Sequence, residues 1–135
     1  MDEQRDEQRE PVNEFKSKAG LQRAIRACQY SLSGLKWAWR YEHAFRQELM
    51  VAVPAALVAL ALPVSALEKL LLIGSLVLVL VVELINSAIE AAIDRISLER
   101  HPLSRNAKDF GSAAVMLTIL LAGAAWAVVV LPLLI

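Results

Sequence analysis

Three charge-poor apolar blocks, 49–67, 70–82 and 113–135, limit what this chain can fold into more than any other feature of it. A bilayer core takes roughly 20 apolar residues to cross as a helix. The blocks therefore predict an all-α membrane protein with three spans, at about 49–67, 70–93 and 112–134. With 57% hydrophobic residues among 135, an ordinary soluble domain is excluded, and the length allows one domain, 15–135, behind a short tail.

The formal net charge of zero hides a segregation of charge along the chain. Residues 1–14 carry Asp2, Glu3, Asp6, Glu7, Glu10 and Glu14 against Arg5 and Arg9 in a tandem Asp-Glu-Gln-Arg repeat, and with almost nothing apolar to bury they predict a disordered or loosely helical tail. Residues 15–48 reverse the balance, with Lys16, Lys18, Arg23, Arg26, Lys36, Arg40 and Arg46 against Glu42 and Glu48. The acidic start lacks the basic and then apolar pattern of a signal peptide, so the spans are expected to be retained. A single cysteine, Cys28, excludes an internal disulfide and a multi-cysteine metal cluster.

From Leu21, the residues Leu21, Ile25, Cys28, Leu32, Leu35 and Trp39 recur at spacings of three or four, which predicts an amphipathic helix lying in the membrane surface. Gly34 is a place where it could bend. Trp37, Trp39 and Tyr41 precede the first span, at the headgroup level that amphipathic rings favour. The first span, 49–62, contains Pro54 and stops at Pro63. A second helix over 66–96 would be about 46 Å long, so it must project beyond the bilayer core. A loop over 97–106, containing Pro102, leads to a third helix from 107. Arg95, Arg100, Arg105 and Lys108 flank that loop and only Lys69 the other turn, so the amino-terminal region and the second loop are expected in the cytoplasm and the carboxyl terminus outside.

The second helix carries the chemistry. Glu83, Asn86, Glu90 and Asp94 fall at 0°, about 300°, about 340° and about 20° on a helical wheel, an arc of roughly 80°. An acid at mid-membrane depth costs about 2.5–3.5 kcal/mol on insertion scales, so a row of them calls for a partner, a cation or water. Carboxylates suit magnesium, which is held by one or two of them together with phosphate oxygens. Phosphoryl transfer also needs a group to take the acceptor's proton, and Glu83 is the deepest acid. The same face could join helices by hydrogen bonds or conduct protons, and periodicity does not choose among the three.

Lys108-Asp109-Phe110-Gly111-Ser112 opens the expected third helix with a base, an acid, a small residue and a hydroxyl, a combination compatible with phosphate binding or with ordinary capping and snorkelling. Neither a phosphate-binding Gly-Lys loop nor a Gly-x-Gly-x-x-Gly loop nor a protein-kinase catalytic loop is present. His43 and His101 are too few for a dedicated zinc site.

Three ordered motifs, Trp39-x-x-Glu42-x-Ala44-Phe45-Arg46-Gln47-Glu48, then Glu83-Leu-Ile-Asn86-Ser87-Ala88-Ile-Glu90-Ala-Ala-Ile-Asp94-Arg95, then Ala107-Lys108-Asp109-Phe-Gly111-Ser112-Ala113-Ala114-Val115, resemble the bacterial integral-membrane diacylglycerol kinases. The resemblance runs from about residue 20 to 125. It implies a homotrimer of three-span subunits in the inner membrane, with active sites shared between subunits at the membrane–cytoplasm boundary. It implies transfer of the γ-phosphate of ATP to diacylglycerol, with Mg²⁺ as cofactor, in phospholipid recycling. Glu83 then matches the catalytic base, and Glu42 and Glu90 match metal ligands that also touch ATP. Arg23, Tyr30, Glu99, Arg100, His101, Lys108 and Asp109 match nucleotide-binding positions. On the lipid side the matching positions are Arg23, Trp39, Phe45, Arg46, Gln47, Glu48, Glu83, Asn86 and Ser112.

The family gives no role to the acidic repeat, and the loop that reads Leu98-Glu99-Arg100-His101-Pro102 departs from its pattern, Pro102 restricting the backbone there. An undecaprenol kinase on the same fold is the nearest alternative. A non-catalytic proton-translocating or assembly subunit is the alternative from another class. The expected partners are ATP, a membrane lipid, the bilayer and further copies of the chain, with no nucleic acid.

Overall fold

A computed structural model of the chain describes residues 12–135, with side-chain surroundings from Ala19 onward. Four α-helices follow one another: α1 (Val12–Tyr41), α2 (His43–Ala61), α3 (Ala66–Ile96) and α4 (Pro102–Val130), the last continued by a 3₁₀ turn at Leu131–Leu133. Packing divides them into two units, the first ending at Arg40 and the second Tyr41–Ile135.

In the first unit, α1 is continuous through Gly34, where a bend was possible from the sequence. A glycine inside a helix costs only about 1 kcal/mol relative to alanine, which the remaining turns absorb. The stripe of Leu21, Ile25, Leu32, Leu35 and Trp39 is exposed along the helix, with Cys28. Of the expected tail, residues 1–11 lie outside the described residues, and 12–14 already belong to α1.

In the second unit α3 packs against both α4 and α2. Each of these three helices is long and apolar enough to cross a membrane. Their outward side chains, such as Leu57, Val77, Leu117 and Leu121, are exposed in the chain, as a lipid-facing surface requires. The inward face of α2 repeats every seven residues, Phe45, Ala52 and Ala59, and its small alanines let the backbones approach closely. Pro54 is contained within α2 without ending it.

The turn between α2 and α3 is held by side chains. Ser65 and Glu68 form a reciprocal capping box, the Ser65 amide donating to Glu68 Oε2 at 2.7 Å and the Glu68 amide donating to Ser65 Oγ at 3.3 Å. Lys69 Nζ donates to the Leu60 carbonyl at 2.7 Å, which gives the last turn of α2 a donor for one of its orphan carbonyls. Below the turn Ala59, Leu72 and Val129 form a buried cluster with Trp126 against it, whose Nε1 donates to the Leu72 carbonyl at 3.3 Å. Ser65→Ala is expected to lower stability by about 1 kcal/mol, read as a shift of the unfolding midpoint in detergent. An unchanged midpoint would mean that Lys69 and Trp126 hold the turn without the box.

The expected start of the third helix at 107 is corrected to Pro102. His101 is the N-cap, its ring Nδ1 accepting from the Leu103 amide at 3.2 Å, and Pro102 occupies the first helical position. Proline suits that position because its missing N–H would be unpaired there anyway. The loop after α3 therefore shrinks to 97–101, and the helix amino terminus falls at 102–104 instead of at Lys108-Asp109.

Candidate active site

One stripe of α3 turns inward: Leu72, Ser75, Val79, Glu83 and Asn86, at helical spacings of three and four. The stripe begins apolar and becomes polar as it approaches the loop. Ser75 satisfies itself by donating to the Leu72 carbonyl at 2.7 Å. Glu83 and Asn86 are buried inside the helical packing, only 4% and 8% exposed. Two helical turns nearer the loop the row emerges, with Glu90 half-buried and Asp94 exposed.

Side chains link this row to α4. Asn86 Nδ2 donates to Glu90 Oε1 at 3.2 Å. The other end of the Asn86 amide faces Gly111 of α4, so closely that a Cβ at Gly111 would collide with Oδ1. Farther along, Lys108 Nζ donates to Asp94 Oδ1 at 2.6 Å, joining α3 and α4 across the loop. The face predicted from periodicity is thus a row of interacting groups over about three turns.

Two further carboxylates, Glu42 and Glu48, lie near the row. Glu83 lies within electrostatic reach of Glu90 and Glu42, and Glu48 within reach of Glu83. Glu42 is the extended residue between α1 and α2, and as the N-cap of α2 its side chain makes no capping hydrogen bond. Among the described residues, Oε2 of Glu48 and Oδ1 of Asn86 are the buried side-chain oxygens without a hydrogen-bond partner. A buried acceptor left in that condition costs about 1–3 kcal/mol, a characteristic of places where a ligand completes the structure.

At the loop end the surface opens into a cavity of about 830 Å³. Of the sequence-predicted nucleotide positions, Glu99, Arg100, His101, Lys108 and Asp109 all line it, together with Asp94. Asp109 also pairs with Arg105 at 3.7 Å, both side chains largely exposed. The cavity lies beside the first turn of α4 and is bordered by Arg100, Arg105 and Lys108, whose positive charges favour anions.

Arg23, Tyr30 and Trp39 belong to the first unit, with Tyr30 exposed. Phe45 is buried on the inner face of α2, whereas Gln47 and Ser112 are exposed. Arg46 Nη2 lies 2.8 Å from His43 Nδ1. Sequence reasoning missed Gly111 as a packing partner of Asn86, and missed Ser97, Ser104, Arg105 and Asn106 as cavity residues. A glycine inside an apolar helical pattern was the available signal for the first.

The donors around Glu83 are all oxygen, the ligand type of hard divalent cations. Among the described residues no three acidic, histidine or cysteine side chains converge as a preformed metal site. The donor set fits a cation held by one or two carboxylates with phosphate oxygens completing its shell, rather than a protein cage.

Comparison with known proteins shows the family. The family model described as prokaryotic diacylglycerol kinase matches residues 29–130. A protein of Pseudomonas aeruginosa named diacylglycerol kinase is 50% identical over 117 residues, 87% of this chain and 95% of its own length. Proteins of the same name from Escherichia coli K12 and Haemophilus influenzae are 49% and 43% identical, covering 81% and 79% of this chain and 89% and 91% of their own. The match takes in α2, α3, α4 and every residue of the buried polar row, and on that ground the chain belongs to the prokaryotic diacylglycerol kinase family, a family of membrane kinases.

Proposed function

We propose that this chain transfers the γ-phosphate of ATP to the primary hydroxyl of 1,2-diacylglycerol, giving phosphatidate and ADP, at the cytoplasmic boundary of a bacterial inner membrane. The observation that carries this reading is the continuity of the α3 row, from a carboxylate buried among apolar spans to a cation-lined cavity at the loop. A lipid hydroxyl arrives from the bilayer and a triphosphate from water, and few arrangements serve both.

In this mechanism Glu83 accepts the hydroxyl proton as the new oxygen–phosphorus bond forms and the bond from the γ-phosphorus to the bridging oxygen breaks, ADP leaving. Glu42 and Glu90 would hold the magnesium ion, which when bound would supply neutralisation of the phosphate charge. Lys108 supplies positive charge to the phosphates, with Asp109, Glu99, Arg100 and His101 around the nucleotide; Arg23 and Tyr30 are nucleotide positions by the family resemblance alone. Trp39, Phe45, Arg46, Gln47, Glu48, Asn86 and Ser112 orient the lipid headgroup. Catalysis is then mainly positioning and charge neutralisation.

The active form is a homotrimer with sites shared between subunits, α1 lying in the membrane surface, its amino terminus cytoplasmic and the carboxyl terminus periplasmic. Support for the orientation is the excess of Arg and Lys around the second loop. Support for the trimer is the family resemblance.

Phosphate transfer from ATP to diacylglycerol in mixed micelles, with and without Mg²⁺, tests the proposal. Magnesium-dependent phosphatidate formation is the expected outcome. Transfer to undecaprenol but not to diacylglycerol would move the acceptor to an isoprenoid alcohol. Absence of turnover on either lipid, with proton flux in vesicles, would leave a non-catalytic subunit.

A further inference from the structure

We propose that Gly111 is a positioning residue, whose bare Cα lets the Asn86 amide sit between α3 and α4 and hold the Glu90 carboxylate. The inference rests on the reading of Glu90 as a metal ligand for the magnesium ion.

Gly111 is buried on α4, opposite the polar part of the α3 stripe. It is the only glycine among the five whose added Cβ would meet anything within 4 Å, and what it would meet is Asn86, Oδ1 first and Cγ next at 3.2 Å. Nothing in the backbone asks for glycine here, since none of the described glycines has a positive φ. The requirement is for space, and the space is filled by one side chain.

That side chain is itself constrained. Asn86 is 8% exposed, so it cannot swing to solvent, and its Nδ2 is engaged with Glu90 Oε1 at 3.2 Å. A methyl group at 111 overlaps Oδ1 and pushes the whole planar amide, because Oδ1 and Nδ2 move together. The hydrogen bond to Glu90 is then lost or lengthened. Oδ1 has no hydrogen-bond partner to restore the amide to its place. On the Oδ1 side only close packing against α4 fixes the orientation of this amide, and through Nδ2 the amide in turn fixes the carboxylate.

This explains a glycine at a helix interior position where alanine would favour the helix by about 1 kcal/mol. It also gives Gly111 a part in the reaction without contact to substrate: outer partners that orient a metal-ligating side chain alter metal affinity or activity about 10–100-fold when changed.

The test is a double-mutant cycle of Gly111→Ala and Asn86→Ala in the full chain, with two readouts. The first is the Mg²⁺ concentration giving half-maximal phosphatidate formation at saturating ATP. The second is the unfolding midpoint in detergent without divalent cation. Each single variant is expected to raise the half-saturating Mg²⁺ about 10–100-fold. The double variant should be no worse than Asn86→Ala, because the Cβ then has nothing to displace. Gly111→Ala should also lower the midpoint, and adding Asn86→Ala should recover most of the loss.

A wild-type Mg²⁺ dependence in Gly111→Ala overturns the proposal, as do effects that multiply in the double variant. Where Gly111→Ala does not fold, a folded double variant supports the steric link to Asn86 and an unfolded one overturns it. Glu90→Gln, assayed alongside, separates the underlying reading: an unchanged Mg²⁺ dependence there removes Glu90 from the metal while the stability cycle still decides the coupling of Gly111 to Asn86.

Discussion

Glu83→Gln is expected to lower kcat for phosphatidate formation by about 10²–10⁴-fold, the range contributed by a positioned general base, with the KM for ATP near its wild-type value. Glutamine keeps the shape of the side chain and loses its capacity to accept and hold a proton. The site is suited to such a test because Glu83 is only 4% exposed and stands among Glu48, Glu90 and Glu42. Removing one of several neighbouring acidic groups relieves repulsion and burial cost, so the variant should unfold at a detergent concentration no lower than wild type. Lost activity with retained stability would locate the effect in the chemical step. Full activity in Glu83→Gln would remove Glu83 from the role of base and turn attention to Glu48, whose Oε2 is buried without a partner.

Lys108→Gln is expected to lower kcat about 10²–10³-fold, the size of effect seen when a donor aimed at developing charge is removed, and to raise the KM for ATP as well. Lys108 is where α4 brings a positive charge to the cavity, 2.6 Å from Asp94. The pair is well exposed, with side chains at 38% and 51%, so solvent screens it and its loss should leave the unfolding midpoint nearly unchanged. Kinetics with ATP as the varied substrate, together with an unfolding titration, would check both halves. A variant with normal kinetics and reduced stability would make Lys108 a structural tether of α3 to α4 and leave the phosphates to Arg100 and Arg105.

Much of the candidate site could be read along the chain because a helix converts sequence spacing into geometry without help from the rest of the fold. Glu83, Asn86, Glu90 and Asp94 share a face by arithmetic alone, and α3 spans Ala66–Ile96 where the second helix was expected at 66–96. The amino-terminal edge of α4 was less legible. Pro102 can serve as a loop residue or as the first residue of a helix, and only the cap supplied by His101 distinguishes them. The cavity followed from that edge: moving the helix start from 107 to 102 draws Glu99, Arg100 and His101 toward Lys108 and Asp109 around one opening.

The sequence by itself determined the number of apolar spans, the polar face of α3 and the family, because apolar runs and helical periodicity are local properties and motif spacing survives in linear order; the bounds of the first and third helices, His43–Ala61 in place of 49–67 and a start at Pro102 in place of 107, depended on the turns and caps. Only the tertiary structure decided which groups meet across helices. Lys108 and Asp94, fourteen residues apart, are partners because the short loop folds α4 back beside α3. Gly111 fits against Asn86 because close packing leaves no room for a Cβ. Glu83 is buried because its stripe continues the apolar one that begins at Leu72. Contacts of this kind depend on the approach of two surfaces, to which residues distant in sequence contribute together, and no single stretch of the chain contains that information.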